Sequence, residues 1–87
     1  MKKTMALKAV VRAIVQLRDE GEDIYGYEIA QRAGVETGVV YPILARLERE
    51  HCLASHREDV DYAGAMGRPP RKVYQLAEGW DPNVLLV

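Results

Sequence analysis

Gly26-Tyr27-Glu28-Ile29-Ala30-Gln31-Arg32-Ala33-Gly34-Val35-Glu36-Thr37-Gly38-Val39-Val40-Tyr41-Pro42-Ile43-Leu44-Ala45-Arg46-Leu47-Glu48 is the stretch that decides the fold. It reads as two short helices joined by a tight turn. From about Tyr27 to Ala33, the residues Ile29, Ala30 and Ala33 share an inward side, while Glu28, Gln31 and Arg32 lie outward. Gly34 ends that helix, and Val35-Glu36-Thr37-Gly38 makes the turn. The next helix runs from about Thr37 or Gly38 to Glu50, with Val40, Ile43, Leu44 and Leu47 facing inward. Pro42 near its start removes one backbone bond and predicts a local distortion, not a break.

Upstream, Leu7, Val10, Val11, Ile14 and Leu17 follow helical spacing over Thr4–Arg18, with Thr4 as N-cap and Gly21 as the stop. Ile24-Tyr25-Gly26 reads as a short extended link. Downstream, Leu53–Glu58 alternates as a strand, Asp59–Pro70 has no periodicity and reads as a loop, and Arg71–Leu76 reads as the returning strand. The expected fold is α+β and mainly α: a winged helix-turn-helix, three helices followed by a two-stranded β-hairpin wing. Residues 1–78 form that domain, and 79–87 form a short C-terminal tail. In the tail, Val84-Leu85-Leu86-Val87 is too short for a solitary helix. Two readings of Trp80 with Val84–Val87 stay open, a lid over a thin core and a partner site.

Composition bounds the rest. The 87 residues suffice for one small domain, and 48% apolar with 29% charged residues is a folded, non-fibrous composition. No apolar run reaches the length of a membrane helix. Lys2 and Lys3 resemble the basic end of a signal peptide, but Lys8 and Arg12 interrupt the apolar stretch after them, so a cytoplasmic protein is expected. One cysteine, Cys52, excludes an internal disulfide. His51, Cys52 and His56 do not have zinc-site spacing, and Cys52 reads as a small buried hydrophobe. No cofactor is expected. No Gly-rich phosphate loop, catalytic triad or apolar carboxylate pair is present, so no enzyme is expected either.

Net charge is −1, which alone argues against a nucleic-acid ligand. The charges are sorted, however. Residues 1–18 carry Lys2, Lys3, Lys8, Arg12 and Arg18 without an acid, and Arg68, Arg71 and Lys72 cluster on the wing. One face can therefore be positive on a near-neutral chain.

Three motifs in order carry a family resemblance: Gly26-Tyr27-Glu28-Ile29, then Val40-Tyr41-Pro42-Ile43-Leu44-Ala45-Arg46-Leu47-Glu48, then Gly67-Arg68-Pro69-Pro70-Arg71-Lys72-Val73-Tyr74-Gln75-Leu76. Over about residues 5–77 the chain resembles the PadR family of winged-helix transcription regulators. The resemblance implies a DNA-binding repressor, usually dimeric, without enzymatic chemistry. Family members commonly carry Ser or Thr where this chain has Glu36 and Val39, and glycine where it has His51. Glu36 would repel a phosphate or cap the helix, Val39 suits a thymine methyl, and His51 requires a left-handed backbone. The family also continues into long C-terminal helices that make the dimer, so the resemblance leads us to expect a minimal form of the family.

The expected partner is double-stranded DNA, read by the third helix in the major groove and gripped by the wing on the flanking backbone or minor groove. The residues that would meet it are Tyr27, Thr37, Gly38, Val39, Tyr41, Pro42, Arg46, Arg68, Pro69, Arg71 and Lys72, with Lys2, Lys3 and Lys8 adding backbone contacts. For Tyr41, packing on the second helix is the alternative. For the wing cations, it is pairing with the acidic run Glu58, Asp59 and Asp61. A homodimer through helix 1 and the tail is the second partner expectation, and no membrane is expected. A winged-helix protein–protein interaction module is the rival function.

Overall fold

The computed structural model describes residues 3–87. Helix α1 spans Met5–Asp19, strand β1 Ile24–Tyr25, α2 Gly26–Ala33, α3 Thr37–Arg49, β2 Leu53–Arg57, α4 Val60–Ala65, β3 Lys72–Leu76 and α5 Asn83–Leu86. Thr4 caps α1 as its sequence suggests: the Oγ1 atom accepts from the Leu7 amide at 3.0 Å, which is worth about 1 kcal/mol.

One core joins these elements. Val10, Val11 and Ile14 of α1, Ile29 of α2, and Val40, Leu44 and Leu47 of α3 are fully buried, and Ile24, Leu53 and Tyr74 close the sheet side. Each of the larger aliphatic side chains contributes roughly 1.5–3 kcal/mol by leaving water. Trp80 and Leu86 pack against this cluster and Leu85 belongs to it, so the tail lies over α1.

Three expectations need correction. The wing is not an isolated two-stranded hairpin: the sheet is antiparallel with order β1-β3-β2. The supposed link Ile24-Tyr25 is its third strand, with Ile24 opposite Tyr74 and Tyr25 opposite Val73. It was unreadable because two residues carry no alternation. The supposed loop holds α4, whose N-terminus is capped by Asp59 accepting from the Asp61 and Tyr62 amides. Ala63 is its one buried residue, so α4 has no apolar stripe to read. The tail, too short for a solitary helix, forms one turn of helix at Asn83–Leu86 where it is held against α1, which leaves that expectation standing.

Candidate nucleic-acid interface

Helix α3 buries Val40, Leu44 and Leu47, which fixes what its opposite side presents. Thr37, Gly38, Val39, Tyr41, Pro42, Ala45, Arg46 and Arg49 are exposed. The helix runs through Pro42, which leaves the Gly38 carbonyl without its helical donor on this open side. Glu36 stands at the N-cap but makes no side-chain capping bond, so the capping role considered for it is not taken.

Tyr41 serves both the core and the surface. A Cβ on Gly26 would lie 2.6 Å from its Cε1 and 2.8 Å from its hydroxyl. The ring is therefore seated on the bare backbone at the start of α2, and it remains half exposed. The packing alternative for Tyr41 and its availability to a ligand hold together. Tyr27 is exposed on α2, where its hydroxyl accepts from Gln31 Nε2 at 2.7 Å. Arg46 lies on the other flank of α3 and pairs with Glu50 at 3.3 Å.

The wing cations do not stand free. Glu58 is nearly buried and accepts bidentately from the Arg68 guanidinium. It also accepts from the Arg71 amide at 3.0 Å, from Arg71 Nε at 3.4 Å and from the Tyr25 hydroxyl at 3.1 Å. These contacts, Arg68 first, hold the Glu58 carboxyl far below the usual carboxylate range. Arg71 stacks on the Tyr25 ring, with Cζ 3.7 Å from its centre. Gly67, at φ 74°, turns the chain at the end of α4 so that the Arg68 amide closes on the Ala63 carbonyl. Lys72 donates to Glu48 of α3 at 2.9 Å, and Ser55 donates to the same carboxylate at 2.8 Å. Pro69 is exposed at the tip. Of the N-terminal cations, Lys3 and Lys8 are accessible, and Lys2 lies outside the described residues.

Sequence reasoning missed the Tyr25–Glu58–Arg71 stack, because Tyr25 lay in a segment read as a link. It also passed over Arg49 and Arg57. Both are exposed and without an ion-pair partner among the described residues. No group of His, Cys, Asp or Glu among those residues is placed to hold a metal ion. Cys52 is half-buried against the core, and burial pushes its thiol pKa up. No helix among them is long and apolar enough to cross a membrane.

The family model for the transcriptional regulator PadR-like family matches residues 14–79, from the middle of α1 through the whole wing. The chain belongs to the PadR-like family. Two solved structures share this PadR fold. A PadR family transcription regulator from hypervirulent Clostridium difficile R20291 is similar at a TM-score of 0.67 and 24% identity, over 95% of this chain and 80% of that one. Pex from Synechococcus sp. (strain PCC 7942) is similar at a TM-score of 0.61 and 27% identity, over 91% of this chain and 75% of that one. No curated protein matches the chain. The resemblance drawn from the three motifs is thereby shown, as is the mainly helical α+β winged-helix-like fold, with its third strand added. As a PadR-like protein, the chain is a transcriptional regulator and not an enzyme.

Proposed function

We propose that this PadR-family chain is a sequence-specific repressor that binds double-stranded DNA in the cytoplasm. The N-terminal half of α3 enters the major groove and the wing lies along the flanking backbone or minor groove. The observation that carries this reading is the α3 surface: Thr37, Gly38, Val39, Tyr41 and Pro42 are exposed together over a buried Val40-Leu44-Leu47 back. Val39 offers a methyl contact to thymine, Tyr41 a base-edge or phosphate contact, and Arg46 a phosphate contact once it leaves Glu50. Tyr27 adds a hydroxyl at the start of α2. Arg68, Arg71 and Lys72 reach phosphate by exchanging a carboxylate partner for it, with Pro69 stiffening the tip.

Dimerisation through α1 and the tail completes the proposal. Met5, Val84 and Val87 are the strongly exposed apolar side chains of that region. A dimer would favour an inverted repeat with half-sites about one helical turn apart. Selection from a random duplex pool, followed by ultracentrifugation with the selected site, tests both parts. An enriched inverted repeat and a two-chain complex are expected, and a pool that enriches nothing overturns the reading. One observation favours the rival interaction module: Glu58 already engages both wing arginines. A stoichiometric protein partner recovered without DNA would decide for it.

A further inference from the structure

We propose that the phosphates of bound DNA are met first by Arg49 and Arg57, at the seam between α3 and the hairpin, ahead of the arginines of the wing tip, which must first leave Glu58. The proposal rests on the DNA-binding reading above and deepens it.

The tip is poorly suited to a polyanion. Drawing Arg68 or Arg71 onto a phosphate strips counter-charge from Glu58, whose side chain is only 5% exposed. Asp59 and Asp61 stand exposed at the start of α4 beside it. The tip therefore holds three acids, Glu58, Asp59 and Asp61, against two cations, Arg68 and Arg71.

The seam has the opposite balance. Arg49 continues the exposed line of α3 through Gly38, Pro42 and Ala45, at four-, three- and four-residue steps along one helix side. Arg57 lies opposite Lys72 in the β2–β3 register and shares a sheet face with Ser55 and Tyr74. That face is the one tied to α3, because Ser55 and Lys72 both donate to Glu48. Arg49 follows Glu48 by one position, about 100° around the helix, so it stands on the outer α3 side of this seam and not over the sheet. At this seam Lys72 is spent on Glu48 and Arg46 on Glu50, which leaves Arg49 and Arg57 as the surplus charge. Neither has a partner to give up among the described residues, so phosphate contact leaves no carboxylate stranded. In the linear sequence both are hidden, Arg49 between Glu48 and Glu50, and Arg57 before Glu58 and Asp59.

The test is the affinity of the full chain for a labelled random-sequence duplex, measured by fluorescence anisotropy over a series of KCl concentrations. For each of R49A and R57A, the slope of log affinity against log salt should shrink by about 0.9, one phosphate contact each. The R49K/R57K double variant, which keeps both charges, should retain the wild-type slope. R68A should melt at a lower temperature and shrink the slope by less than either seam variant, because Arg68 must leave Glu58 before it meets a phosphate. If R49A and R57A both keep the wild-type slope, the inference is overturned while the DNA-binding reading stands. If the wild-type chain binds no duplex, that reading falls and takes the inference with it.

Discussion

A methyl group added at Gly26 would meet Cε1 of Tyr41 at 2.6 Å, closer than any relaxed contact allows. Gly26→Ala should therefore displace the Tyr41 ring and destabilise the fold by about 1–3 kcal/mol, the usual range for overpacking. Urea unfolding measures the loss, and it should largely vanish in a Tyr41→Ala background if the ring is its cause. Glu58 makes a second prediction at this scale. Its folded-state pKa is depressed, chiefly by Arg68, so its stabilising effect is full above the ordinary carboxyl range and is lost as pH falls through and below it. Melting temperature should decline below about pH 4.3, and Glu58→Gln should melt lower at neutral pH and show a shallower acid decline. A residual decline should persist, because Arg32 and Lys72 also lower the pKa values of Glu20 and Glu48. An unchanged acid profile in the variant would remove Glu58 from this role. The pairing of Glu58 with the wing arginines was legible as an alternative. Tyr25 as its further partner was not, because nothing local says that a two-residue segment will pair across the sheet.

Helix α3 ends with a closure that its sequence both announces and resists. The Cys52 amide donates to the Leu47 carbonyl at 2.8 Å and the His51 amide to Glu48 at 3.0 Å, which places His51 at φ 61°. The same closure ends α1 at Gly21 and α2 at Gly34 with glycine. His51→Gly should therefore stabilise the chain by about 0.5–1 kcal/mol, since it removes a left-handed side-chain penalty at some cost in chain entropy. Chemical denaturation would show it, and a loss of stability would mean that the imidazole makes a compensating contact. The three long helices were readable because each carries a buried stripe at helical spacing and an end signal: Thr4, Gly34 and the His51 position. Helix α4 was not, because it exposes Val60, Tyr62 and Met66 and buries little. It is held by the Asp59 cap and by the Gly67 closure, which are local bonds and leave no periodic trace. Of the recognition surface, the α3 residues were legible because burial of one helix side dictates the other. The ion pairing of the wing was only half legible, since it depends on which acids the folded sheet brings near.

For the whole molecule, the tail and the charge distribution matter most. Leu85 is buried in the core while Trp80 and Leu86 pack at its edge, so Leu85→Ala should cost roughly 2–3 kcal/mol. Trp80, the single tryptophan, reports that loosening through its fluorescence. A substitution that leaves both the melt and the emission unmoved would show that the tail does not lie over α1. The charge −1 that argued against a nucleic-acid ligand is a sum over segregated patches, with acids gathered at the wing tip and, at the α3 seam, arginines without an ion-pair partner among the described residues. A sequence tally cannot see this, because the separation arises only when β2 and β3 pair. The strand order has a further consequence. Because β3 sits between β1 and β2, both flanking strands leave the ribosome before their shared neighbour and wait with open backbone edges. Translation stalled before residue 72 would release a chain whose helices can form but whose Ile24 and Leu53 have no cover. Such a fragment would be a substrate for chaperones and proteases rather than a shortened regulator.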